Sequence, residues 1–161
     1  MFIKQADLFW GMDHDFVNEL IQVSEKETHK PGTVLFYEGE PARRFYILLK
    51  GRVRIDIGDD QQFFYIVSHG GEAFGWSGLL DMERYVSTGT CLDQTILLKF
   101  DTSDIQRLAE DNPVNGMMFY KKLSFILGNL LQNSYHMDYL RLHDPMRESF
   151  GTGQMVASEA L

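Results

Sequence analysis

The sequence predicts a mainly β domain, a sandwich or small barrel, with helices before and after the strand region. Three observations carry this. Val53, Ile55 and Ile57 alternate with Arg52, Arg54 and Asp56, the period of a strand with one buried face. Gly32, Gly39, Gly51, Gly58, Gly70, Gly71, Gly75 and Gly89 cut residues 32–101 into short apolar runs. Helical periodicity is confined to residues outside that stretch, so nothing supplies the crossovers of a parallel sheet.

In chain order, Phe16, Leu20 and Val23 share a face with Val17 and Ile21, which predicts a helix that Asp13 or Asp15 can cap. Glu25 to Lys30 reads as a polar connector closed by Pro31-Gly32. Strands are expected at Val34 to Tyr37, Phe45 to Leu49, Val53 to Ile57, Phe63 to Val67, Tyr85 to Thr90 and Thr95 to Phe100, with a turn at Gly58-Asp59-Asp60. Ser103 with Gln106 fits a capping box for a short helix whose apolar face is Ile105 and Leu108. Asn112-Pro113 ends it and opens another, since Asn caps well and proline is tolerated at the first helical position. No proline interrupts the chain again before Asp144-Pro145. A helix over 113–143 would be about 46 Å long, too long for one small barrel to cover. Residues 144–161 lack periodicity and are expected to be an irregular tail.

The chain has 161 residues, enough for one domain with a real core, and a formal charge of −8 that repels phosphate. Its single cysteine, Cys91, excludes an intrachain disulfide and a multi-Cys metal site; in a strand it reads as a small buried hydrophobe. The first residues lack the apolar core of a signal peptide, and no window approaches 18 apolar residues. A cytoplasmic protein without membrane contact is expected. His14, His29, His69, His136 and His143 are scattered, without the His-x-His of a cupin metal site. Ser77 and Ser87 have no evident His–Asp partnership, and Asp81 with Glu83 reads as a solvated loop pair. No enzyme is indicated, and no metal or cofactor is expected.

The run Pro31 to Ile55, PGTVLFYEGEPARRFYILLKGRVRI, resembles the opening of a cyclic nucleotide-binding domain of the CRP/FNR type. Gly32, Glu38, Gly39, Phe45, Tyr46, Ile47, Gly51 and Val53 fall at that family's spacing. Gly71 to Leu80, GEAFGWSGLL, resembles its phosphate-binding cassette. The resemblance covers about residues 6–143 and implies an antiparallel jelly roll, the double-stranded β-helix, with flanking helices and a long C-terminal helix. It implies a ligand site at Phe74, Gly75, Trp76, Ser77, Gly78, Leu79, Arg84, Tyr85, Val86 and Ser87, where a turn and helix-terminal amides suit an anion.

Three departures bear on that ligand. The family's Phe-Gly-Glu is Phe74-Gly75-Trp76 here, and an indole cannot accept the ribose hydroxyl. Ten residues past Gly75 stands Tyr85, with Arg84 one position early, and a one-residue slip in a strand turns a side chain to the other face. The polar pair that cAMP-binding regulators place on the long helix falls at Leu130-Leu131. A cyclic nucleotide is therefore the ligand class the fold admits and the cassette disfavours, with another small anion or nucleotide, or a more apolar molecule, open beside it. The GWSGLL version also looks like a set of short bacterial proteins that carry this domain alone.

Phe119, Leu123, Ile126, Leu130, Asn133, Met137 and Leu140 recur at spacings of four and three, a heptad seam with one polar position. A homodimer joined through the long helix is expected, as in the bacterial regulators of the family. Only 18 residues follow His143, with Arg147 as their basic residue, so no helix-turn-helix and no direct DNA binding is expected. The organisation expected is a sensor domain over 1–143, with residues 113–143 as its dimerisation helix. Its function would be that of a stand-alone regulatory or sensor domain acting on a protein partner. The alternatives are a dimeric interaction module with a collapsed pocket and, less favoured, a cupin-type metalloenzyme.

Overall fold

A computed structural model describes residues 7–58, 63–141, 149–151 and 154–156. Two four-stranded antiparallel sheets form the roll. One has the order β1 (Glu25–His29), β8 (Thr95–Asp101), β3 (Arg44–Lys50), β6 (Ala73–Phe74). The other runs β2 (Val34–Phe36), β7 (Thr88–Cys91), β4 (Val53–Ile57), β5 (Phe63–Val67). Antiparallel sheets with flanking helices and a long C-terminal helix are the jelly-roll architecture the sequence implies.

Strand β3 organises the interior because its side chains alternate. Phe45 and Ile47 face a cluster shared with α1 (His14–Gln22), α2 (Thr102–Asp111) and α3 (Pro113–Arg141). Tyr46 and Leu48 face the second cluster, between the sheets, with Val53, Ile55, Phe74, Leu97 and Cys91. In α1, Phe16, Val17 and Leu20 are buried as their spacing predicts; Asp13 occupies the N-cap position, but its side chain makes no capping hydrogen bond.

Three local expectations are corrected. Glu25–His29 is a strand and not a connector: it pairs with β8, and Lys99 bonds both Glu25 and Glu27 at its edge. Ion pairing replaces the apolar alternation that would have marked it. The strand expected from Tyr85 begins only at Thr88. Helix α2 starts at Thr102 with Asp101 as its N-cap, so Ser103 and Gln106 do not form a capping box. The Gln106 amide instead donates to the Gly78 carbonyl at 3.3 Å.

At the next junction the expectation holds: the Asn112 side-chain oxygen accepts from the Asn115 amide at 3.4 Å, and α3 begins at Pro113. Buried Asn115 also accepts from the Asp13 amide at 3.0 Å and donates to the Asp13 carboxylate at 2.9 Å, tying α3 to the start of α1. Within the segment expected to be irregular, β9 (Ser149–Gly151) and β10 (Gln154–Val156) pair as a ribbon outside both four-stranded sheets. No helix of the described residues is long and apolar enough to cross a membrane.

Candidate functional site: the cassette and the aromatic interior

The cassette hangs from β3. Tyr46 pairs with Phe74 and Ile47 with Ala73, which leads the chain into Gly75 at φ 73°. A Cβ there would also lie 3.0 Å from the Tyr46 ring, so glycine answers both a left-handed backbone and a close approach. A short 3-10 helix follows, Trp76–Leu80, with Ser77 and Leu79 buried. Gly78 packs against Ala42, and a Cβ would come within 1.9 Å of the Ala42 carbonyl oxygen.

Upstream, Glu72 is buried and its Oε2 accepts the Ser68 and His69 amides at 2.7 and 2.8 Å. Burial pushes its pKa above the usual carboxylate range, against the opposing pull of those two amides.

Beside the cassette the interior is occupied by aromatic rings of the chain itself. Phe36 stacks on Tyr85 at 4.3 Å, and Tyr46 on Phe74 at 5.2 Å, while Phe36 and Tyr46 lie 5.7 Å apart. The Tyr85 hydroxyl donates to the Arg44 carbonyl at 2.8 Å and accepts from the Arg44 amide at 3.0 Å. Desolvation raises the pKa values of both Tyr46 and Tyr85, so these hydroxyls stay protonated. Half-buried Trp76 stacks on Tyr65 with ring planes 9° apart and packs against both core clusters.

The expected ligand residues separate into two groups. Phe74, Gly75, Ser77, Leu79 and Tyr85 are buried, and Trp76 and Gly78 are half-buried. Arg84 and Val86 are exposed, and Ser87 is half-buried. The Arg84 guanidinium donates to the Gly39 carbonyl at 2.6 Å, on the segment that also pairs Pro41 with Arg84. The one-residue slip is thus visible as Tyr85 turned inward and Arg84 turned outward. Phe36, Tyr46, Tyr65, Glu72 and Gln106 belong to this region too, and sequence reasoning left them out. Phe36 and Tyr46 had a signal, since their strands were expected; Glu72 and Gln106 act through loop contacts that no periodicity marks.

On α3, Phe119 and Leu123 are fully buried in the chain's own core, with Phe45 set edge-on to Phe119. Ile126 packs on the same cluster, and Leu130 on the cluster between the sheets. Over this part the heptad seam faces inward, because the barrel covers more of the helix than its length suggested. Asn133 Nδ2 is buried with no hydrogen-bond partner among the described residues. The side-chain surroundings of Met137 and Leu140 lie outside the described residues. Among the residues of α3 whose side chains are described, the exposed large apolar ones are Val114, Met117, Phe125 and Leu131.

Two antiparallel sheets, a glycine-led cassette ending in a 3-10 helix, and a long C-terminal helix define a jelly-roll domain with flanking helices. Residues 26–112, more than half of the chain, match the cyclic nucleotide-binding domain family, and the chain belongs to it. It is similar to the sensor domain of the transcriptional regulator DNR from Pseudomonas aeruginosa, at 25% identity and TM-score 0.62, over 76% of this chain and 88% of that one. The Catabolite Activator Protein of Thermus thermophilus shares the fold at 22% identity and TM-score 0.67, over 83% of this chain and 62% of that one. A protein of Rhodopseudomonas palustris whose name assigns it to the potassium channels is 25% identical over 111 residues, 69% of this chain; the chain spans 27% of that relative. One of these solved structures is thus the sensor domain of a transcriptional regulator, and the other a catabolite activator. Among the described residues no group of three or more His, Cys, Asp or Glu is placed to hold a metal.

Proposed function

We propose that this domain is a regulatory module of the cyclic nucleotide-binding type that acts by contacting another protein in the cytoplasm, and that cAMP is not its ligand. The observation that carries the reading is the aromatic packing of Phe36, Tyr46, Phe74 and Tyr85 beside the cassette, together with Arg84 bonded to Gly39 on the rim. Arg84, the one cation of residues 70–90, would not face a cyclic phosphate, and the ribose would meet Trp76. Two charge-assisted hydrogen bonds are then missing, each worth about 1.5–3 kcal/mol.

Calorimetry tests this. The expected outcome is no cAMP binding at micromolar concentration, and a micromolar or tighter Kd would overturn it; in that event Arg84→Ala should abolish binding. A second reading, sensing of a more apolar molecule, is favoured by Trp76, which reaches both core clusters. Quenching of its fluorescence on titration with a small aromatic acid would support that reading.

The domain acts as a homodimer in this proposal. The long helix provides the contact through exposed Phe125 and Leu131, since Phe119 and Leu123 are committed to the core.

A further inference from the structure

Outside the barrel, a groove of about 610 Å³ runs where the cassette meets the two C-terminal helices. Leu79 comes from the 3-10 helix, Ala109 from α2, and Pro113, Gly116 and Tyr120 from α3. Gly116 creates its depth: a Cβ there would lie 2.4 Å from the Ala109 carbonyl oxygen, so only glycine lets the two helices close over this floor. Two exposed carboxylates also line it, Asp81 just after the 3-10 helix and Glu110 on α2. Both act on the Tyr120 hydroxyl, whose pKa is raised first by burial and then by these two charges. Among the described residues neither carboxylate is ion-paired, whereas the neighbouring Asp104 and Asp111 both face Arg107. Apolar side chains gather nearby, with Leu80 and Met82 exposed on the cassette side and Met117 75% exposed on α3.

We propose that this groove docks a segment of a partner protein whose apolar side chains are flanked by lysine or arginine. The apolar floor alone would accept any hydrophobic side chain. The unpaired carboxylates make the choice: they attract a basic flank and repel an acidic segment, a nucleic acid or an anionic lipid surface. A second copy of this chain is disfavoured in the groove because the proposed dimer contact uses the Phe125 and Leu131 part of α3. The proposal rests on the partner-binding reading above and adds the place and chemistry of the contact. Because Leu79 belongs to the cassette and Asp81 directly follows it, any shift of the cassette would reshape the groove.

The test selects random peptides of about twelve residues against the full chain, then titrates the enriched ones as synthetic peptides by fluorescence anisotropy and amide chemical shifts. Enriched sequences should pair Leu, Met or Phe with Lys or Arg. Shifts should fall on Gly78 to Met82, Gln106 to Glu110 and Val114 to Tyr120. Asp81→Asn with Glu110→Gln should weaken binding about tenfold without changing the melting temperature, asparagine being tolerated at the left-handed φ of Asp81. Acidic or uncharged peptides, a footprint on the Phe125 face or inside the barrel, or no enrichment would overturn the proposal. Tight cAMP binding alongside basic peptides seated in the groove would overturn only the ligand part of the earlier reading. Absence of enrichment with no cAMP binding would remove the groove and leave the barrel assignment standing.

Discussion

Glu72 is where pH reaches the cassette. Its carboxylate is 4% exposed and serves two backbone amides with one oxygen. Burial raises its pKa, so between the unfolded and folded values the native state holds the extra proton. Stability contributed by this group therefore falls as pH rises through that window, upward from about 4.3. Glu72→Gln keeps an oxygen for both amides and cannot titrate. The difference in melting temperature between wild type and Glu72→Gln should shift in the variant's favour from pH 4 to 7, and a pH-independent difference would refute this. Glu72→Ala should instead cost about 1–3 kcal/mol, since two buried amides lose their acceptor. Gly78→Ala tests a different constraint: the new methyl would strike the Ala42 carbonyl, and chemical denaturation should register a loss of about 1–3 kcal/mol or more. Glu72 was not singled out in the sequence, and Gly78 was expected only as a ligand-site residue. Gly78 reads like any cassette glycine until the Ala42 backbone is beside it.

At the scale of elements, α3 is the informative case. Its heptad was legible and its partner was not, because spacing identifies a stripe without saying what the stripe meets. Leu123→Ala should cost about 2–5 kcal/mol by leaving a cavity in the chain's own core. Phe125→Glu with Leu131→Glu alters side chains that are 66% and 53% exposed, so unfolding midpoints should barely move while light scattering falls from a dimer to a mass near 18.6 kDa. A wild-type mass already at that value would sink the dimer. The same limit hid β1, whose Glu25, Glu27 and His29 carry no hydrophobic signal. Burial alone would raise the Glu27 pKa, but hydrogen bonds from Lys99 and His29 outweigh it and leave the carboxyl lowered. Most strands were legible because their inward residues are apolar at period two. The ligand region was legible only to the cassette's glycines and the Arg84 slip, since ring stacking between β2, β3 and the loop at Tyr85 is a long-range fact.

For the whole molecule, the alternation along β3 has a dynamic consequence. Phe45 and Ile47 anchor the layer beneath the helices, while Tyr46 and Leu48 anchor the space between the sheets. A strand that belongs to two interiors cannot leave one without vacating the other. Separate subglobal openings of the helical layer and the barrel are thereby suppressed. In native-state hydrogen–deuterium exchange, amides of β3 and of its neighbour β8 should exchange only through global unfolding and share one free energy, whereas those at the edge of β1 should exchange through cheaper local fraying. Unequal opening energies for Phe45 and Tyr46 would show that the two interiors melt independently. If the energies coincide, β3 is the cooperative axis of the domain, and a perturbation sensed on one side is transmitted to the other as a change in the stability of a single unit.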